Sequence, residues 1–207
     1  MIKLVIFDMD GVLIDAKEWH YLALNKALSL FGMEISMENH LNFFDGLPTK
    51  VKLESLSNDS NLPFELHDLI NQLKQKFTLE IVYEKCKPTF HHEFLLNRLR
   101  EQNYLLAVAS NSIRATVSLM LNKANIDHYF NLTLSNEDVS KPKPDKEIYE
   151  KIIQHFNVLP SETLVIEDHD IGVKSANDAG AHVLRVKNTE EVNFKNISQK
   201  INQINQL

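Results

Sequence analysis

Five short apolar runs punctuate the chain: residues 2–7 (IKLVIF), 104–109 (YLLAVA), 131–134 (NLTL), 163–166 (TLVI) and 181–186 (AHVLRV). Most of them lack alternation of apolar and polar residues. A strand with one wetted face alternates, so a run that does not is expected to be buried on both faces, as in a parallel sheet covered by helices on each side. The segments between carry helical spacing: Phe90, Phe94, Leu95 and Leu99; Ile113, Val117, Met120 and Leu121; Ile148, Ile152, Ile153 and Phe156. A last helix is expected through Ile197, Ile201 and Ile204. From residue 104 onward strand and helix alternate, and the economical architecture is a doubly wound, Rossmann-like α/β layer around a parallel sheet.

One stretch breaks the alternation. Between Asp15 and Lys87 no strand-like run occurs, and the sequence reads as helices over 18–31 (EWHYLALNKALSLF), 49–56 (TKVKLESL) and 63–77, the last started by Pro63. That is far longer than an ordinary strand-to-helix connection. The expected division is therefore an α/β core of residues 1–14 and 88–207, with an inserted α-helical cap domain over 15–87.

Composition narrows the function. In 207 residues, 28 Asp and Glu outnumber 22 Lys and Arg for a net charge of −6, and the basic residues form no long run, which argues against a nucleic-acid or membrane-surface footprint. The single cysteine, Cys86, excludes an internal disulfide and fits a reducing compartment. The first apolar run stops at Asp8, too early for a secretory signal, and no later run approaches the roughly 20 residues that cross a bilayer. The expectation is a cytoplasmic protein that meets a small charged partner locally.

In open α/β sheets, ligands bind beyond the carboxyl ends of the strands. There the sequence places Asp8 and Asp10 after the first strand and Ser110 and Asn111 after the second. Lys141 lies a short loop after the third, and Glu167 and Asp168 close the fourth. This is a candidate nucleophile, a hydroxyl, a fixed cation, and enough carboxylate for a hard metal such as Mg²⁺, which prefers oxygen ligands. Such a collection suits phosphoryl transfer, where most of the work is positioning and charge neutralisation. A metal and a lysine remove the repulsion between an attacking carboxylate and an anionic phosphate.

The stretches DMDGVLID (8–15), SNS (110–112), KPKPD (141–145) and EDHDIGVKSANDAGA (167–181) resemble, in order and spacing, the four motifs of the haloacid dehalogenase-like superfamily, and the helical insert resembles its cap. The resemblance implies that Asp8 is the nucleophile of an aspartyl-phosphate intermediate and that Asp10 is general acid, then base. It implies that Ser110, Asn111 and Lys141 hold the phosphoryl group. Mg²⁺ would fall to Asp8, the Asp10 backbone carbonyl and Asp168, with Glu167 direct or through water. Of the two lysines in KPKPD, Lys141 falls at the family's position, and Lys143 is expected to be solvated. In the cap, His20, Lys50 of the DGLPTK loop (45–50) and Lys76 are candidates for substrate contact.

The activity implied is a Mg²⁺-dependent phosphatase of a small phosphorylated metabolite such as a sugar phosphate. A mutase resembling β-phosphoglucomutase shares the motifs but carries threonine where this chain has Ala16. Dehalogenase relatives lack the second aspartate, here Asp10. A non-catalytic phospho-ligand sensor would be expected to have lost Asp8, Asp10, Lys141 or Asp168, and all four are present.

Overall fold

The computed structural model describes residues 1–44 and 46–206. Its strands are β1 (Leu4–Phe7), β2 (Leu105–Ala109), β3 (Leu132–Leu134), β4 (Thr163–Glu167) and β5 (His182–Arg185), each inside one of the apolar runs except β4, which extends one residue past its run to Glu167. The helices are α1 (Lys17–Ser29), the short α2 (Met37–Asn39), α3 (Thr49–Ser60), α4 (His67–Lys85), α5 (Phe90–Glu101), α6 (Arg114–Lys123), α7 (Glu147–His155), α8 (Asp170–Asp178) and α9 (Phe194–Asn205). None of the described helices is long and apolar enough to cross a membrane.

The strands form one parallel sheet in the order β3-β2-β1-β4-β5, with Leu4 opposite both Leu105 and Thr163. β1 is central and every one of its side chains is buried, as its lack of alternation requires. Leu4, Ile6, Ala107, Ala109 and Val165 pack on one face against Ile148, Tyr149, Ile152 and Ile153 of α7 and Ala176 of α8. Their alternates Val5, Phe7, Leu106 and Val108 are equally buried on the other face. At about 1.5–3 kcal/mol for each large apolar side chain removed from water, these two faces hold the sheet together.

Helix α5 departs from the expected apolar stripe. The buried set is His92, Leu95, Leu96 and Leu99, whereas Phe90 is 81% and Phe94 46% exposed. The buried residues follow the i, i+3, i+4, i+7 rule from residue 92. Phe90 and Phe94, four apart, share the other side of the helix and stack on each other with ring centroids 6.1 Å apart.

The chain divides into two compact units. One is Met1–Asp15 together with the chain from Lys87 onward; the other is Ala16–Cys86, one residue shorter at each end than the expected insert. Among its described residues the second unit consists of helices and the loops that join them, with no strand. Its core joins Leu24, Ala27 and Leu28 of α1 to Ile35, Phe44, Leu53, Leu56, Leu62 and Ile70.

Candidate active site

The site forms where β1 ends. Past Phe7 the chain curls so tightly that the Met9 carbonyl accepts the backbone N–H groups of Val12, Leu13 and Ile14, at 3.3, 3.0 and 2.9 Å. Gly11 makes the curl possible with φ of +90°, a conformation that L side chains rarely adopt. The curl leaves Asp8 and Asp10 at the carboxyl edge of the sheet, where β2 delivers Ser110 and β4 delivers Glu167 and Asp168.

The cation of this edge is Lys143, which corrects the expectation for both lysines of KPKPD. Lys143 is 3% exposed, and its three ammonium hydrogens reach three acceptors: Asp8 Oδ1 at 2.7 Å, Glu167 Oε1 at 2.6 Å and the Ala109 carbonyl at 2.9 Å. Lys141 is exposed, and among the described residues only its backbone is engaged, its N–H donating to Glu147 Oε2 at 2.9 Å. The tandem KP repeat allows two registers, and the loop geometry selects the second. Asn111 fixes that choice: its Oδ1 accepts the Lys143 N–H at 3.0 Å and its Nδ2 donates to the Lys143 carbonyl at 3.2 Å. The Asn111 side chain, expected on phosphate, is thus occupied in clamping the lysine's backbone.

Asp10 is met by hydroxyls. Ser112 donates to its Oδ2 at 2.9 Å and Ser110 at 3.4 Å, while Ser110 Oγ accepts the Ser112 N–H at 3.0 Å. Ser112, the third residue of SNS, was legible as motif but not as a contact to the presumed acid.

Glu167 is buried and packed on two sides. Tyr149, fully buried on α7, donates its hydroxyl to Oε1 at 2.5 Å. On the other side lies Gly172 in α8, where an added Cβ would stand 1.9 Å from the same oxygen. Neither residue announces itself in sequence, because a tyrosine at helix period reads as core and a glycine near a helix start reads as a turn.

Electrostatics favours a further cation. Burial pushes the Asp8 carboxyl well above the usual carboxylate range; Glu167 adds to that push, Lys143 opposes it, and Asp10 and Asp168 reinforce it. Burial alone would lower Lys143, but the carboxylates of Asp8 and Glu167 outweigh it and hold the ammonium charged. Asp8 therefore feels three other carboxylates and one lysine. Asp8, Glu167 and Asp168 each offer an oxygen, all within 4.8 Å of one another, an all-oxygen set that can hold a divalent metal.

In the helical unit, His20 is half-buried with Nδ1 3.4 Å from Lys74 Nζ, whereas Lys76, half a turn further along α4, is exposed, as is Lys50 at the start of α3. The lysine that the structure brings to His20 is Lys74. Asp45, the first residue of the DGLPTK loop, lies outside the described residues.

Residues 5–186 match the family model of the haloacid dehalogenase-like hydrolases. The phosphorylated carbohydrates phosphatase of Thermotoga maritima is 28% identical over 185 residues, covering 85% of this chain and 81% of the relative. The phosphoglycolate phosphatase of Aquifex aeolicus is 26% identical over 180 residues, covering 86% and 81%. Among solved structures, β-phosphoglucomutase from Clostridium difficile superposes over the whole of both chains with a TM-score of 0.84 at 22% identity, a likeness of fold.

Proposed function

The chain belongs to the haloacid dehalogenase-like hydrolases, and we propose that it is a Mg²⁺-dependent phosphatase of small phosphorylated metabolites, sugar phosphates foremost, working through an aspartyl-phosphate on Asp8. The observation that carries this reading is the division of the Asp8 carboxylate. Lys143 holds Oδ1 at 2.7 Å, and among the described residues nothing hydrogen-bonds Oδ2. One oxygen fixed and one open is what an attacking carboxylate needs. The names of the two phosphatases among the relatives support the substrate class.

Asp8 would attack the phosphorus, breaking the bond to the ester oxygen, while Asp10 gives that oxygen a proton. Water then attacks the phosphorus, Asp10 takes its proton, and Asp8 is released with inorganic phosphate. The Ser112 hydroxyl orients Asp10 for both transfers. Asp8, Glu167 and Asp168 would hold Mg²⁺, which when bound neutralises phosphoryl charge.

The test is phosphate release from a panel of phosphorylated sugars, phosphoglycolate and nucleotides, with Mg²⁺ or with EDTA. Turnover should require Mg²⁺ and vanish in Asp8→Asn. A variant keeping a tenth of the wild-type rate would sink the nucleophile assignment. β-Glucose 1-phosphate with a trace of its bisphosphate, followed by phosphorus NMR, should yield inorganic phosphate or no reaction. Accumulation of glucose 6-phosphate would make the protein a mutase.

A further inference from the structure

A phenol buried without need is a cost, because its hydroxyl leaves water and must find a partner. Phenylalanine would fill the Tyr149 position with the same ring and no such demand. Tyr149 is fully buried in the layer between α7 and the sheet, and its hydroxyl goes to Glu167 Oε1 at 2.5 Å. That oxygen also takes the Lys143 ammonium at 2.6 Å. Oε1 is therefore doubly engaged, and among the described residues no hydrogen bond is made to Oε2. In the bond to Oε1 the Tyr149 hydroxyl is the donor and the carboxylate oxygen the acceptor.

The rest of the clamp comes from Gly172 and Lys143. The absent Cβ of Gly172 gives Oε1 its space, so the carboxyl is confined between a phenol and a helix backbone. Lys143 has one hydrogen for Glu167 and one for Asp8. A Glu167 relieved of the phenol can turn both oxygens toward the ammonium and draw it from Asp8.

We propose that Tyr149 is a positioning residue: by occupying Oε1 it keeps Oε2 directed to the cation held with Asp8 and Asp168, and keeps Lys143 shared with Asp8. This rests on reading the Asp8–Glu167–Asp168 cluster as a divalent-cation site. Residues that orient metal ligands typically govern affinity by 10–100-fold.

The variant that isolates the hydroxyl is Tyr149→Phe, since it keeps the ring whose centroid lies 4.9 Å from Lys143 Nζ. Mn²⁺ titrated into the metal-free full chain, with free Mn²⁺ read by electron paramagnetic resonance, should show a dissociation constant raised about tenfold. Circular dichroism should remain that of the wild type. In a Glu167→Gln background the same substitution should change the constant less than twofold, because the two act through one carboxyl. A purely structural tyrosine would lower thermal stability equally in both backgrounds and leave the constant unmoved. An unchanged constant in folded Tyr149→Phe, equal effects in both backgrounds, or a wild type that does not bind Mn²⁺ would each overturn the proposal. A wild type that binds Mn²⁺ tightly, loses affinity in Tyr149→Phe and hydrolyses no phosphoester would leave Tyr149 in its role and remove the phosphatase reading instead. Should Tyr149→Phe not fold, Gly172→Ala serves, since its Cβ displaces the same carboxyl; it should raise the constant at least as much, and an unchanged value would count against the proposal.

Discussion

Lys143 spends each of its hydrogens on a different acceptor, and two of those acceptors are buried carboxylates. Replacing it by methionine removes the only ammonium contacting Asp8 and Glu167 among the described residues and leaves both charges uncompensated, a change that costs roughly 3–5 kcal/mol where buried pairs are broken. Lys143→Met should therefore lower the midpoint of urea unfolding and depress kcat/KM by more than about 100-fold. Lys141→Met, at an exposed position bonded through its backbone, should stay within about threefold on kcat/KM and leave the unfolding midpoint in place. The reverse ranking would restore the first lysine of KPKPD to the site.

At the scale of the element, α5 is tied down by a histidine. His92 is 2% exposed; its Nδ1 lies 2.9 Å from Thr89 Oγ1 and its Nε2 3.2 Å from the Thr189 carbonyl. Burial, with the neighbouring His91 adding to it, lowers its pKa from 6.5 to about 4. The unfolded chain therefore binds a proton that the folded chain refuses between those values, so this contribution to stability is complete above about pH 6.5 and is lost as the pH falls through about 4. The loss amounts to no more than about 3 kcal/mol. Urea melts from pH 7 to 4.5 should show falling stability, and His92→Gln, though less stable at pH 7, should flatten that slope. Parallel slopes for the two proteins would show that other groups set the acid limit.

For the molecule as a whole, the carboxylates of the site come from the ends of two adjacent strands, β1 and β4, which are far apart in sequence. A cation joining them would bind the folded chain and would have no equivalent site in the unfolded one. At 100 times its dissociation constant Mg²⁺ should add about 2.7 kcal/mol, raising the melting temperature by roughly 5–10 °C. EDTA should reverse the shift, and Asp168→Asn should abolish most of it. A melting temperature indifferent to Mg²⁺ across that range would mean that no such cation is held.

The sheet was legible because burial on both faces removes alternation, and β1, β2 and β4 wear that signature in one-dimensional form. Asp8, Asp10, Ser110, Glu167 and Asp168 were legible because a strand end is a fixed place, so residue number converts directly into position at the sheet edge. What the sequence could not decide is anything set by the path of a loop or by contact between distant segments. KPKPD offers a lysine in either of two registers, and only the clamp of Asn111 on the Lys143 backbone puts one ammonium inside and the other in water. Periodicity placed Phe90 and Phe94 with the core because a stripe of spacing four looks the same from either side of a helix. Tyr149 and Gly172 have ordinary core and helix identities in sequence, and become parts of the site only where α7 and α8 close around Glu167, since a hydrogen bond and a van der Waals gap exist only between segments that folding has brought together.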